Sequence, residues 1–125
     1  HLSAAGKAML AHAPRKEVLE IAAKHGLPRA TPNTIGSVKK LQAELVRTRA
    51  RGFSIDNEEG ALGLRCIAAP ILDERGIAHA ALSLAAPTAR MPDERLAALG
   101  AMVCAAARSL TVELGGNEGR APSGN

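Results

Sequence analysis

The spacing of apolar residues along the chain changes from a helical period to an alternating one near residue 53. Before that point, apolar side chains recur every three or four positions, which is the spacing of one helix face. This pattern predicts helices over residues 4–13, 14–24 and 38–51. Ser3 is the predicted N-cap of the first helix, Pro14 stops it, and Gly26 and Gly52 follow the ends of the other two.

After residue 53 the pattern is that of a small antiparallel sheet followed by a long helix. Residues 53–56, 64–72 and 77–85 are predicted strands, and a Gly-containing turn joins the last two as a hairpin. Pro70 disfavours a central ladder position, because it has no N–H to donate. Pro92 opens a helix predicted to reach Leu114. Its apolar seam comprises Leu96, Leu99, Val103, Ala106 and Leu110.

The two faces of the predicted hairpin differ in side-chain size. Because strand residues alternate between faces, one face carries bulky residues and the opposite face carries uniformly small ones. The bulky face is the predicted core. The small face either receives a closely packed helix or forms the floor of a pocket; its residues are Cys66, Ala68, Ala81, Ser83 and Ala85.

An acidic loop joins the first two predicted strands. Asp56, Glu58 and Glu59 lie there within four residues, and unpaired charged groups are almost never buried. These carboxylates therefore predict a polar pocket wall or a solvent-exposed loop. They lack the regular ligand pattern of a calcium loop.

The sequence offers little support for catalysis. Cys66 with His1 or His79 could form a thiol nucleophile, but no third orienting group is specified, and a thiol within a strand is by default a core residue. No Gly-rich phosphate loop or His-Glu-x-x-His motif occurs. We therefore expect no enzyme activity, no cofactor and no metal site.

Composition restricts the remaining classes. The 125 residues suit one domain, predicted over 1–114, and a Gly-, Pro- and Ser-rich tail over 115–125 is predicted to be disordered. The net charge is +4, but Phe53 is the only aromatic residue, so nothing is available for stacking on nucleic-acid bases. No apolar run approaches about 18 residues, which predicts no membrane span. Two unpaired cysteines suit a reduced, cytoplasmic protein.

Four motifs together resemble the IclR family of bacterial transcriptional regulators. They are His1–Ala8, Leu27–Ile35, Arg51–Glu59 and Gly63–Pro70. The resemblance covers residues 1–116 and is to the C-terminal, effector-binding domain alone. It implies a GAF/profilin-like antiparallel sheet flanked by helices. It also implies that the winged helix-turn-helix and the first strands of the sensor domain are missing, so that the domain is incomplete at its N-terminal side.

The resemblance also implies a set of effector contacts. The first turn of the helix after the first motif would hold an effector carboxylate, and a hydroxyl on the last strand would donate to it. The acidic residue that opens the loop would accept from a ligand hydroxyl or a water, and two residues of the following strand would supply apolar walls. One position departs from the family, since an alanine stands where a hydroxyl residue is frequent. The contacts expected in chain order are Ala4, Ala5, Asp56, Leu64, Cys66, Ser83 and Ala85.

The function implied is that of a ligand-sensing domain. A small organic acid would bind it and modulate DNA binding by the separate winged helix-turn-helix domain, in a dimer or tetramer of the regulator. The alternative is a dimerisation module with a vestigial pocket, and a small thiol enzyme ranks third.

Overall fold

The computed structural model describes residues 1–113, so the tail predicted over 115–125 lies outside the described residues. Its seven principal elements are three helices, then three strands, then a fourth helix. In chain order they are α1 Ala4–Leu10, α2 Arg15–His25, α3 Val38–Arg51, β1 Ser54–Asn57, β2 Leu64–Leu72, β3 Ala78–Pro87 and α4 Asp93–Glu113.

Side-chain caps and glycines explain the helix ends. The Ser3 hydroxyl accepts the Gly6 N–H at 3.0 Å, and Ser37 caps α3 in the same way. Gly52 ends α3 with a φ of 90°, a left-handed conformation that suits glycine. The first helix ends at Leu10 rather than at residue 13. Its last turn tightens into hydrogen bonds between residues three apart, because the residue before Pro14 disfavours helical geometry.

The three strands form one antiparallel sheet in the order β1-β2-β3, which confirms the predicted α+β class. β2 has the bounds that alternation predicted, whereas β1 and β3 lie one or two residues further along. Pro70 lies within β2 at a position that is paired on one side only, as its missing N–H predicts. It is tolerated because β1 extends only to Ser54 opposite Ala68, so β2 has one neighbour at Pro70.

Helices cover both faces of the sheet. α4 packs on the bulky face, in a core that contains Ile67, Ala69 and Val103. α1 packs on the small face, where Ala4, Ala8 and Ala68 form a second cluster. A third cluster joins α1, α2 and α3 through Ala11, Val18, Leu41 and Leu45.

The buried stripe of α4 differs from the predicted seam in its second half. Beyond Val103 it advances in steps of four, through Ala107 and Thr111, whereas Ala106 is exposed. The Thr111 hydroxyl accepts the N–H of Leu72 at 3.2 Å, which holds this side of the helix against the sheet. In a segment so rich in alanine, hydrophobicity alone does not distinguish the two stripes.

By length and composition, α4 is the one helix among residues 1–113 that could cross a membrane, with a mean hydropathy of 1.4 over an 18-residue window. The prediction of no such span therefore needs qualification. α4 contributes Val103 and Ala107 to the sheet core, while Met102 and Val112 on its outer side are exposed.

A close contact between α4 and the chain before β1 yields a stability prediction. A Cβ on Gly100 would overlap the Phe53 ring, over which the Arg51 guanidinium lies at 5.4 Å from the ring centroid. We expect Gly100→Ala to lower the free energy of unfolding by about 1–3 kcal/mol through overpacking, as measured by urea denaturation and far-UV circular dichroism. With Phe53→Leu in the background, the same change should become neutral or stabilising, since alanine is the better helix former. Equal effects in both backgrounds would contradict the steric explanation.

Candidate functional site

The predicted contact residues share the α1 side of the sheet through pairing and packing. Asp56 pairs with Cys66 across β1 and β2, and Cys66 pairs with Ala85 across β2 and β3. Ala68 pairs with Ser83 on the same face. Leu64 shares this face, because it lies two residues before Cys66.

The first turn of α1 lies on the same face. Ala4 is buried against Ala68, while Ala5 and Cys66 pack at the margin of that cluster. α1 thus takes up part of the small face, as a closely packed helix, and the Ser83 and Ala85 side of it remains exposed. The sheet therefore presents an open, small-residue surface beside the start of α1, with a side-chain hydroxyl on β3 at Ser83.

Asp56 lies beneath this surface rather than on it. Asp56 is only 4% exposed, and its Oδ1 accepts the N–H of Glu59 at 2.7 Å. Burial, reinforced by the neighbouring Asp56 carboxylate, raises the pKa of the Cys66 thiol above its ordinary value. Cys66 is therefore a protonated thiol at neutral pH, which suits a wall residue and not an activated nucleophile.

A buried ion pair that sequence reasoning missed joins α1 to the acidic loop. The Lys7 side chain is fully buried, and its Nζ donates to both carboxylate oxygens of Glu59, at 2.9 and 3.0 Å, and to the carbonyl of Ile55. Glu59 Oε2 also accepts the N–H of Asn57 at 2.9 Å. Glu59 is thus a structural residue whose contacts with Lys7 connect α1, β1 and the loop.

The segment between α2 and α3 clamps the acidic loop from its other side. The Thr34 hydroxyl donates to the carbonyl of Glu59, and the Thr31 hydroxyl donates to the carbonyl of Glu58 at 2.6 Å. Both threonines are buried. The amide of Asn33 adds a bond to the Asn57 carbonyl at 3.1 Å. The motif at residues 27–35 therefore holds the acidic loop in position.

The signal for the Lys7–Glu59 pair is present in the sequence. Lys7 occupies the same helix stripe as Ala4, Ala8 and Ala11, so a regular seven-residue helix places it on the inner side. A lysine on a buried stripe requires a buried acceptor, and the acidic loop is the nearest concentration of carboxylates in the predicted sheet.

Three cavities within residues 1–113 lie away from the predicted contacts. A groove of about 380 Å³ lies between the end of α1, α2 and α3, a cavity of about 110 Å³ lies at the far end of β2, and an open cleft of about 650 Å³ runs along α3 and β1. None of these three is lined by the seven predicted contact residues. The predicted site is therefore an open face and not one of these volumes.

Comparisons with known proteins identify the family. The profile described as "Bacterial transcriptional regulator IclR C-terminal" matches residues 1–112. The chain is 44% identical over 116 residues to the transcriptional repressor IclR of Escherichia coli, covering 93% of this chain and 42% of the repressor. The fold resembles the crystal structure of IclR from Thermotoga maritima with a TM-score of 0.86 and 33% identity, over 90% of this chain and 46% of that chain.

A further solved relative is the inducer-binding domain of the transcription factor PobR from Acinetobacter, a double mutant in complex with 3-hydroxybenzoic acid. It matches with a TM-score of 0.81 and 29% identity, over 89% of this chain and 64% of that chain.

The chain therefore belongs to the IclR family of bacterial transcriptional regulators, and it corresponds to the family's C-terminal domain. It spans less than half the length of the E. coli repressor and of the T. maritima protein. The relatives are transcriptional regulators, which agrees with the expectation that this chain is not an enzyme.

The buried pair yields the first site prediction. Glu59→Gln leaves the Lys7 ammonium buried without a counter-charge, so we expect a loss of about 3–5 kcal/mol in the free energy of unfolding, measured by urea denaturation. The double variant Lys7→Met, Glu59→Gln should recover much of that loss. Glu20→Gln is the matched control, because its partner Lys16 is 3.9 Å away and both side chains are exposed; it should cost about 0–1 kcal/mol. Similar losses in the free energy of unfolding for Glu59→Gln and Glu20→Gln would contradict the role of burial.

The environment of Cys66 yields the second site prediction. In a Cys104→Ala background, Cys66 is the only thiol, and we expect slow alkylation by iodoacetamide near neutral pH, since burial and Asp56 raise the thiol pKa. Asp56→Asn removes the adjacent negative charge, so the pKa should fall and the alkylation rate at fixed pH should rise several-fold. Glu58→Gln, in the same loop, should leave the rate unchanged. An alkylation rate that Asp56→Asn leaves unchanged would contradict an effect of the Asp56 carboxylate on the pKa of the Cys66 thiol.

Proposed function

We propose that this chain is the effector-sensing domain of a transcriptional regulator of the IclR type. The single observation that carries the proposal is the convergence of the small face of the sheet, the start of α1 and the buried end of β1 on one open surface. A binding surface of this kind requires small side chains that make room and a few fixed polar groups. The regulator would act in the bacterial cytoplasm and reach DNA through a separate N-terminal domain.

A small organic acid is the proposed effector class. The PobR relative binds 3-hydroxybenzoic acid in its inducer-binding domain, which supports a carboxylic acid as ligand. In this chain Ser83 is exposed on β3, and its hydroxyl would donate to a ligand oxygen. Ala85 offers no side-chain hydrogen bond two residues further along β3, so the ligand would be less polar at that end.

The remaining contacts divide into walls and supports. Ala5, Leu64 and Cys66 would form apolar walls, and Ala4 lies beneath them against the sheet. Ser3 accepts the N–H groups of Gly6 and Lys7, so in the first turn of α1 the N–H groups of Ala4 and Ala5 are the ones that would hold an effector carboxylate. Asp56 would act mainly by holding the loop and the Cys66 thiol, and it would reach a ligand through its remaining oxygen. The domain would be completed on its N-terminal side by strands that this chain lacks.

A thermal screen tests the proposal. We expect one member of a panel of keto, hydroxy and aromatic acids to raise the melting temperature by several degrees, since ligand at a hundred times its Kd stabilises by about 2.7 kcal/mol. Ser83→Ala should weaken this stabilisation while leaving the unliganded melting temperature unchanged. Ser109→Ala, an exposed hydroxyl on α4, is the matched control.

A second function is favoured by the outer side of α4, where Met102 and Val112 are 68% and 58% exposed. An apolar helix side of this kind suits contact with a second copy, as expected of a dimerisation module whose pocket is vestigial. The same screen separates the two. If light scattering shows that the protein is dimeric and no acid raises its melting temperature, the sensor function is wrong and the dimerisation module is the supported function.

A further inference from the structure

The two edges of the sheet differ in whether their main-chain groups have partners. On the outer side of β1, side chains of other elements donate to the free carbonyls. The donors and acceptors are Arg51 to Phe53 at 2.7 Å, Lys7 to Ile55, and Asn33 to Asn57 at 3.1 Å. On β3, no hydrogen bond from outside the ladder reaches the backbone of residues 80–86 in the described part of the chain. β3 is therefore the open edge of the sheet.

Hydrogen bonding to β2 determines which residues of β3 face this open edge. The Thr88 N–H donates to the Gly63 carbonyl at 2.9 Å, which makes these opposite residues a hydrogen-bonded pair. Such pairs alternate with non-bonded pairs along an antiparallel ladder, and the register is regular over residues 80–87. The β3 residues that bond to β2 are therefore Ala80, Leu82, Leu84 and Ala86. The residues whose N–H and C=O groups point to the open edge are Ala81, Ser83 and Ala85.

The sequence of this edge reads the same in both directions. Residues 80–86 are Ala-Ala-Leu-Ser-Leu-Ala-Ala, with Ser83 at the centre. Two such strands, antiparallel about a two-fold axis, place each residue opposite its mirror position in the other copy. The pairs are Ala80 with Ala86, Ala81 with Ala85, Leu82 with Leu84, and Ser83 with itself. The centre falls on a residue whose N–H and C=O groups point outward, whereas a centre on either leucine would bring together groups that already bond to β2.

Residues 80–86 carry none of the features that keep edge strands apart. Natural edges are protected by charged side chains, by proline or by bulges. Residues 80–86 contain no charged residue and no proline, and the irregularity in pairing lies beyond them, between Ile71 and Leu72 of β2. Leu84 is 40% exposed, so a strand added at this edge would cover apolar surface as well as main-chain groups.

We propose that β3 pairs with β3 of a second copy of this chain, antiparallel and about a two-fold axis at Ser83. Three pairs of outward-pointing residues exchange about six main-chain hydrogen bonds, which joins the two three-stranded sheets into one. The self-complementary sequence selects a second copy over an unrelated strand. The contact uses the edge of the sheet, so it leaves the small face open and is separate from the outer side of α4.

Disulfide trapping tests both the contact and its register. Ser83→Cys, in a Cys66→Ala, Cys104→Ala background, places one thiol of each chain at the two-fold axis. The two Cα atoms there would be about 5.5 Å apart, which is within the range of a disulfide. We expect most of this variant to become a covalent dimer in a glutathione redox buffer, measured by non-reducing gel electrophoresis.

Other cysteine positions are the matched controls. Ala85→Cys should not cross-link to itself, because its two copies lie four residues apart in this register, or roughly 14 Å at the rise of a strand. Mixed with Ala81→Cys, it should form the mixed disulfide. Ser109→Cys, exposed on α4, measures random collision. Cross-linking of Ala85→Cys or Ser109→Cys to the same extent as Ser83→Cys would overturn the proposal.

Light scattering tests the main-chain bonds without added thiols. The unmodified chain should have twice the mass of one copy. Ser83→Pro removes the outward N–H at the centre but no bond to β2, so the dissociation constant of the dimer should rise about tenfold or more. Ser83→Thr keeps that N–H and should not raise it. Far-UV circular dichroism verifies that each variant is folded. An unmodified chain that stays monomeric at every concentration would overturn the proposal and leave this edge to the strands that complete the domain.

Discussion

The pair between Lys7 and Glu59 holds together the part of the molecule on which the proposed site depends. An ammonium group that is fully removed from water is costly, and only several close oxygens offset that cost. The carboxylate of Glu59 and the carbonyl of Ile55 supply them. Because those oxygens belong to the acidic loop and to β1, the position of α1 over the sheet is tied to both. A shift of α1 would separate the charges, so the distance between its first turn and the Cys66 region is held closely.

Side-chain size sets the second constraint. Ala4 and Ala8 on α1 meet Ala68 on the sheet, so helix and sheet approach closely without a large side chain between them. The bulky face packs differently, since Ile67 and Leu82 meet the wider side chains of α4. The asymmetry of the hairpin thus becomes an asymmetry of the domain. On one face of the sheet α4 covers a filled core, and on the other face α1 covers only part of the sheet and leaves Ser83 exposed.

Local rules were sufficient where structure depends on near neighbours. Capping by Ser37 and the left-handed Gly52 bounded α3, and alternation bounded β2. Features that depend on distant neighbours were not accessible in this way. Pro70 is acceptable only because β1 is short, and Lys7 finds Glu59 across 52 residues of sequence. The seven contact positions came from family resemblance, and the structure adds the side of the sheet that they share.

Phe53 has a consequence for how this domain can be observed. It is the only aromatic residue in the chain, and its ring rests on Gly100 and beneath Arg51. Without tyrosine or tryptophan the domain has almost no near-ultraviolet absorption and no useful intrinsic emission. A single tryptophan introduced on β3 or at the turn after α1 would be the sole emitter of the chain. Its emission spectrum would then report on one chosen end of the sheet, with no emission from other residues of the chain.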